Sequence, residues 1–365
     1  MEEINNAMIG ALSEDVFPGA VLIVSVRGKV AFFERYGFAN KVSLQKMTKN
    51  TVFDLASLTK PIATTLAVIK LVEEGRLELK DKLGEIIPQF KKTEKTNIRI
   101  KNLLLHNSGL PDYHPYYLML SNFKQKERQG VLRDLLVKEP LVSKQGEKTL
   151  YSDLGFMVLR WVVEDISGCR LDHFIDEKLY KPLGLENLFF VDLESESKKR
   201  KNKIFAATEF CSWRNMLIDG VVHDENAYAM GGIEGHAGLF GTASDVNQLL
   251  SHMLFSFHGS SKHSIINQEV IKLFFSRNKG SDRVLGFDTP SLTDSSSGRY
   301  FSYNTIGHLG FTGTSFWMDL EKDVIVVLLS NRIHTTRDNM KIKDFRPILH
   351  DTIMTNLKGS GFISH

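Results

Sequence analysis

Ser57, Leu58, Thr59 and Lys60 place a hydroxyl and an amine three residues apart. On a helix that spacing puts both on one face. The chemistry it allows is nucleophilic catalysis, because a serine hydroxyl attacks poorly until a neighbouring base takes its proton. Pro61 has no N–H to return to the Ser57 carbonyl, so the segment tolerates it only if the helix begins near Ser57. Ser57 would then sit at the positive end of that helix, where an oxyanion is favoured. For Lys60 to act as a base some of it must be neutral, which burial or a cationic neighbour promotes. By itself the tetrapeptide also fits an N-capping serine followed by a surface lysine.

The elements that would hold these residues are legible on either side. Leu22 to Val26 and Val30 to Tyr36 are β-rich runs around Arg27-Gly28-Lys29, a hairpin pattern punctuated by Pro18-Gly19. Thr314 to Leu320 and Val324 to Ser330 form a second pair around Glu321-Lys322-Asp323, followed by a helical stretch from Phe345 to about Asn356 with Pro347 in its first turn. Between the hairpins, Ile62, Leu66, Ile69 and Val72 mark one helix face that stops at Gly75. Leu154, Val158, Leu159, Val162, Val163 and Ile166 mark another, closed by Ser167-Gly168. The expectation is an α+β fold: one antiparallel sheet built from both chain ends and flanked by helices, with a mainly helical lobe inserted. Residues 1–365 read as a single unit, with 1–56 and 240–365 in the sheet lobe and 57–239 in the helical lobe. Glu194 to Lys203 reads as a solvated charged loop and Asp294 to Gly298 as a flexible turn.

Composition sets the bounds. A chain of 365 residues, 42% hydrophobic and 24% charged, can bury a large core, and a net charge of +3 gives no electrostatic footprint for nucleic acid. Apolar runs such as Val324 to Leu329 are far too short to span a membrane. Cys169 and Cys211 lack metal spacing and read as free thiols, with one disulfide the alternative. Met1 to Asp15 has no basic-then-apolar pattern, so the expected compartment is the cytoplasm.

The wider context of Ser57 carries a resemblance. Phe53-Asp54-Leu55-Ala56-Ser57-Leu58-Thr59-Lys60-Pro61 resembles the nucleophile segment of the serine β-lactamase and penicillin-binding-protein superfamily, in its class C-like branch. Leu103 to Pro111 (LLLHNSGLP), Tyr151-Ser152-Asp153, Gly235 to Phe240 (GHAGLF) and Gly307 to Ser315 (GHLGFTGTS) follow in that family's order. The resemblance implies an acyl-enzyme mechanism with Ser57 as nucleophile and Lys60 and Tyr151 sharing the proton. It implies an oxyanion hole from the backbone N–H groups of Ser57 and Phe311, and substrate contacts at Asp153, His308, Leu309 and Gly310. No cofactor is expected, since no glycine-rich phosphate loop follows a strand, and no metal, since His223, Asp224, Glu225 and His236, which could suggest a site, match no HExxH-type spacing. The region from Trp213 to Ala227 and the run Arg283 to Thr289 resemble segments of a subset of these hydrolases, and read equally as a cleft wall or as an ion-pair network holding a loop. His106 reads as a turn residue rather than a catalytic base.

Three departures bear on the substrate. Asp153 stands where the family has asparagine and, ionised, cannot donate a hydrogen bond. His308 replaces the common lysine, keeping a donor with pH-dependent charge. Leu309 replaces a threonine whose hydroxyl helps to bind a substrate carboxylate. The resulting expectation is a serine hydrolase acting on an ester or amide, β-lactamase-like, D-Ala peptidase-like or an esterase; an esterase or amidase accepting an uncharged leaving side fits these changes at least as well. Its partner would be a small molecule or peptide, cell-wall derived in one reading, and the oligomeric state is open. The alternative is a non-catalytic protein of this fold that binds peptides or muropeptides.

Overall fold

The computed structural model describes residues 1–195, 202–260, 265–277 and 283–363. In chain order the strands are β1 (Gly19–Val26), β2 (Lys29–Asn40), β3 (Gln45–Lys46), β4 (Phe53–Asp54), β5 (Leu188–Phe190), β6 (Phe210–Cys211), β7 (Met216–Leu217), β8 (Leu239–Gly241), β9 (Arg283–Val284), β10 (Phe287–Asp288), β11 (Ile306–Leu309), β12 (Ser315–Asp319) and β13 (Val324–Ser330). The helices of eight residues or more are α1 (Glu2–Ser13), α2 (Leu66–Glu73), α3 (Gln125–Lys138), α4 (Asp153–Ser167), α5 (Ala243–His258), α6 (Gln268–Phe275) and α7 (Ile342–Gly359).

Eight strands form one sheet in the order β3-β2-β1-β13-β12-β11-β10-β9, with every pairing antiparallel. The strands from the two chain ends meet at β1 and β13, in register from Ala20 opposite Ser330 to Val26 opposite Val324. Both expected hairpins are present. Arg27 and Gly28 both have positive φ, the two-residue turn whose twist matches its strands. In the second hairpin Asp319 is fully buried, and its Oδ1 accepts from the N–H groups of Glu321 and Lys322, fixing the turn.

All eight residues of β1 are buried, so the strand is covered on both faces. Ala20, Leu22, Val24 and Val26 pack with Ile4 and Met8 of α1 and Ile353 and Leu357 of α7. Val21 and Ile23 face the larger core shared with α2, α4 and α5. Each such aliphatic side chain stabilises the fold by about 1.5–3 kcal/mol. α7 begins at Ile342, a turn earlier than the sequence pattern indicates, so Pro347 is its sixth residue and not in the first turn.

The helical segments follow the apolar spacing. The chain enters a 3-10 turn at Ala56–Leu58, widens into a π-type turn over Lys60–Thr65 and continues as α2. Pro61 lies at the start of the wide turn, and the Ile62 carbonyl accepts from the Tyr180 hydroxyl at 2.7 Å. α4 is capped by Ser152, whose Oγ accepts from Gly155 N, and ends at Gly168 in the left-handed conformation. The Asp294–Gly298 stretch is a turn tied to α7, not a loose one, through the His350 Nδ1 to Ser296 carbonyl bond at 2.7 Å. Of the charged run Glu194–Lys203, residues 196–201 lie outside the described residues. Both cysteines are free thiols. No helix among the described residues is long and apolar enough to cross a membrane.

Candidate active site

Ser57 sits on a tightly fixed loop between β4 and α2. Ala56, just before it, has φ +49°, a conformation that costs a non-glycine residue about 1 kcal/mol or more and persists only when its surroundings impose it. The imposing groups are identifiable. Asp54 Oδ1 accepts from Ala56 N at 2.9 Å, and Asp54 Oδ2 accepts from His223 N at 2.6 Å. Burial pushes the Asp54 carboxyl above its ordinary pKa, against the pull of these two donors. Thr312 and Thr314 donate to the carbonyls of Asp54 and Leu55 at 2.8 and 3.1 Å, tying the loop to the end of β11 and the start of β12. Thr59 Oγ1 donates to Ala56 O and accepts from Leu239 N.

Lys60, fully buried, places Nζ 3.0 Å from Ser57 Oγ, 2.7 Å from Asp153 Oδ1 and 3.2 Å from the His236 carbonyl. Burial alone pulls an ammonium's pKa down, but the Asp153 carboxylate and the Tyr151 phenol outweigh it and hold Lys60 above its usual value. Asp153 opens α4, where the helix dipole favours its charge. Tyr151 hydrogen-bonds to Lys60 and Ser57. Burial raises its pKa and Lys60 opposes that rise, so it rests as a phenol. Its ring stacks on His106 at 4.5 Å, with the Arg283 guanidinium 5.2 Å away. His106 itself accepts from Ser152 N through Nδ1, and burial drives its pKa well down. It is a turn residue that positions Tyr151, as its sequence context suggests.

A second ion pair lies beside the first. His236 Nε2 is 2.9 Å from Asp224 Oδ1. Burial disfavours the His236 charge, but Asp224 prevails and raises its pKa; His236 in turn holds Asp224 below the carboxylate range despite burial. One donor atom from each of Asp153, Asp224 and His236 falls within 4.8 Å of the others. That triangle is of a size to hold a cation. The Lys60 ammonium against Asp153 already supplies positive charge there and Asp224 draws His236 toward its charged form, so the donor set fits two interleaved pairs better than a metal. Sequence reasoning weighed Asp224 and His236 as metal ligands, not as partners of each other, and did not single out Asp54. The partners are 169 and 12 residues apart, and no local periodicity joins them.

Two arms of one cleft meet at Ser57. One, of about 390 Å³, is walled by Tyr113, Tyr117, Asp224, Glu225 and Arg337. The Trp213–Ala227 segment supplies part of this wall and is also a braced loop: Arg214 donates to the carbonyls of Val222 and His223 and lies 4.0 Å over the Tyr228 ring. The other arm, of about 370 Å³, runs past His308, Leu309 and Gly310 toward α7. Phe311 borders both arms with Ser57. Gly310 permits this approach, because a Cβ there would lie 2.0 Å from Thr314 Oγ1 and 2.7 Å from the Leu55 carbonyl.

His308 differs from its sequence reading. It is buried, and that burial lowers its pKa to about 4. Its Nδ1–H donates to the Leu309 carbonyl at 2.9 Å, which leaves Nε2 as an unpartnered acceptor. The expected donor is therefore spent inside the protein. Arg283 and Asp288, in the hairpin of β9 and β10, form an ion pair beside Tyr151.

A profile of the Beta-lactamase family matches residues 5–347. A Bacillus subtilis (strain 168) protein named N-acetylmuramyl-L-alanine amidase is 35% identical over 350 residues, covering 87% of this chain and 78% of the relative. An Escherichia coli (strain K12) protein, whose name proposes a D-alanyl-D-alanine carboxypeptidase, is 32% identical over 352 residues, covering 87% and 79%. Among solved structures, EstCE1, described as a hydrolase with promiscuous acyltransferase activity, superposes with a TM-score of 0.74 at 20% identity, covering 97% of this chain and 98% of its own. With Ser57, Lys60 and Tyr151 gathered at one cleft and the family's motifs in order, the chain belongs to the Beta-lactamase family.

Proposed function

We propose that this chain is a serine amidase that cleaves the bond between an N-acetylmuramyl acyl group and L-alanine through an acyl-enzyme on Ser57. The observation that carries this reading is the two-armed cleft. The arm lined by Tyr113, Tyr117, Asp224 and Glu225 offers aromatic faces and carboxylates to a bulky, hydroxyl-rich acyl group. Leu309, with no hydroxyl, argues against the carboxylate grip that a D-Ala-D-Ala peptidase needs next to its scissile bond. The name of the Bacillus subtilis relative supports the same bond.

Ser57 Oγ attacks the acyl carbonyl carbon, and the resulting oxyanion takes hydrogen bonds from the backbone N–H groups of Ser57 and Phe311. Such a donor is worth about 100- to 1,000-fold in rate. Because Lys60 rests as an ammonium, it accepts the Ser57 proton only as it passes one of its own across the 2.7 Å contact to Asp153. Tyr151 protonates the departing nitrogen and recovers its proton from Asp153 through Lys60, so the net transfer is from Ser57 to the amine. Water then attacks the ester and the same groups run in reverse.

The test is incubation of N-acetylmuramyl-L-alanine with the wild type and Ser57→Ala, with released N-acetylmuramic acid followed by mass spectrometry. Ser57-dependent release upholds the reading. Release of terminal D-alanine from a D-Ala-D-Ala peptide, with the muramyl amide left intact, would replace it with a carboxypeptidase. Binding of muropeptides without turnover would replace it with the binding-protein alternative.

A further inference from the structure

The arm beyond β11 holds positive charge that the chemistry at Ser57 does not use. Arg332 follows β13 and Arg346 lies in α7. Each is only 5% exposed, and with Lys343 they line the cavity that opens onto Ser57 and Phe311. Arg332 donates through Nε to the Phe311 carbonyl at 3.0 Å and through Nη1 to the Asn339 carbonyl at 2.6 Å and Met340 Sδ at 3.4 Å. Arg346 Nη2 donates to the Thr314 carbonyl at 2.9 Å, and its buried Nε has no partner. Among the described residues no carboxylate pairs with either guanidinium, and the acid that lines the arm, Asp288, is engaged by Arg283. Burial, with the charge of Arg332 adding to it, lowers Arg346 to about 9, still a cation at neutral pH. Burying guanidinium groups without a counter-charge is unfavourable. Two in one pocket, fixed by main-chain acceptors, are pre-set for a planar anion.

We propose that Arg332, Arg346 and Lys343 form a carboxylate subsite on the leaving-group side of the cleft, for an acidic residue of the peptide released from Ser57. The direction of the substrate rests on the amidase reading, with the acyl group in the arm of Tyr113 and Tyr117. The expelled alanine would run past Leu309, and a carboxylate on the residue that follows it would reach the guanidinium groups. The uncharged leaving side weighed from the sequence concerns the position next to the scissile bond; here the anion is held farther along, beyond Leu309.

The test compares N-acetylmuramyl-L-alanyl-D-glutamate with its diamide. In the wild type at low salt the acid should show a kcat/KM roughly 10- to 100-fold higher, the worth of a charge-assisted hydrogen bond, and the preference should shrink at high salt. The ratio should fall to about one in Arg346→Gln and below one in Lys343→Glu. Because the ratio is read within each variant, partial loss of folded enzyme cancels. Should Arg346→Gln fail to fold, the exposed Lys343→Glu carries the test. A ratio near one in the wild type, or one unchanged in the variants, overturns the subsite. If neither muramyl compound is cleaved, the amidase reading has failed, and glutarate inhibition of p-nitrophenyl butyrate hydrolysis decides the subsite alone. Competitive inhibition weakened by Lys343→Glu upholds it, and no inhibition overturns it.

Discussion

Replacing Asp153 with asparagine removes one charge from the pair that sets the protonation of Lys60 while keeping the side chain's size. The contact is 2.7 Å between a fully buried amine and a carboxylate that is 20% exposed. At an effective dielectric of about 20 the attraction is of order 6 kcal/mol, opposed by the desolvation of both ions. Removing one partner of such a pair typically costs about 3–5 kcal/mol, and the partial exposure of Asp153 puts the expected loss near the low end, about 3 kcal/mol at pH 7. The sign with pH follows from linkage. The Lys60 pKa in the folded wild type lies above its unfolded value of 10.5, so its contribution is complete below 10.5 and is lost only as the pH rises through the folded pKa. In the variant burial prevails and lowers the Lys60 pKa, so the deficit against wild type shrinks as the pH rises from 7 toward 10. Urea midpoints at several pH values measure this directly. The acid limb of kcat/KM for a p-nitrophenyl ester should also move to lower pH, because the amine no longer needs Asp153 to take its proton. Unchanged midpoints together with superimposable pH–rate profiles would refute the idea that Asp153 keeps Lys60 charged.

Tyr151→Phe keeps the stack on His106 but removes the proton donor to the leaving group, so kcat for an amide should fall about 100-fold or more, and less for an ester with a good leaving group. Steady-state kinetics on both substrates reads the difference, and equal losses would contradict the role. Gly310→Ala would press a Cβ onto Thr314 Oγ1 and the Leu55 carbonyl, with an expected loss of about 1–3 kcal/mol in stability and at least a tenfold drop in kcat; chemical denaturation and kinetics check both. His308 and His350 are both held at about 4 by burial. The unfolded chain takes up their protons below 6.5 and the folded chain does not, so stability should be full above 6.5 and fall by about 3 kcal/mol per histidine as the pH drops toward 4. Urea midpoints for the wild type and His350→Gln between these limits should show a shallower fall in the variant.

The sequence speaks most clearly where one physical signal is repeated locally. The β1–β2 turn needs two residues at positive φ, and α4 announces itself by apolar spacing, a serine cap and a closing glycine, so both are readable without a structure. Ser57, Lys60, Tyr151 and Asp153 are legible as an ordered set, although 90 residues of intervening chain separate Lys60 from Tyr151. What could not be read is pairing decided by tertiary approach. Nothing local indicates that Asp54 braces Ala56 and His223 together, or that the His308 donor would be consumed by its own neighbour's carbonyl. The start of α7 is illegible for a related reason, since Ile342 and Lys343 carry no capping signal and the helix is held by its packing on β1.

The electrostatic layout explains how an aspartate can stand where this family has asparagine. Lys60 is the cation of the buried site, His236 is drawn toward its charged form by Asp224, and Asp153 and Asp224 are the anions; they alternate, with Asp153 acting on both Lys60 and His236. The block is therefore close to neutral, and a proton can move from Lys60 to Asp153 inside it without creating a net buried charge. An asparagine at 153 would leave Lys60 and His236 facing a single anion, so Asp153 and the Asp224–His236 pair are best regarded as one unit. Neutrality has a second consequence: the reacting centre exerts little long-range pull on a charged substrate. Attraction of an acidic peptide then falls to Arg332, Arg346 and Lys343, one arm away from the chemistry, where charge can select the substrate without perturbing the proton relay at Ser57.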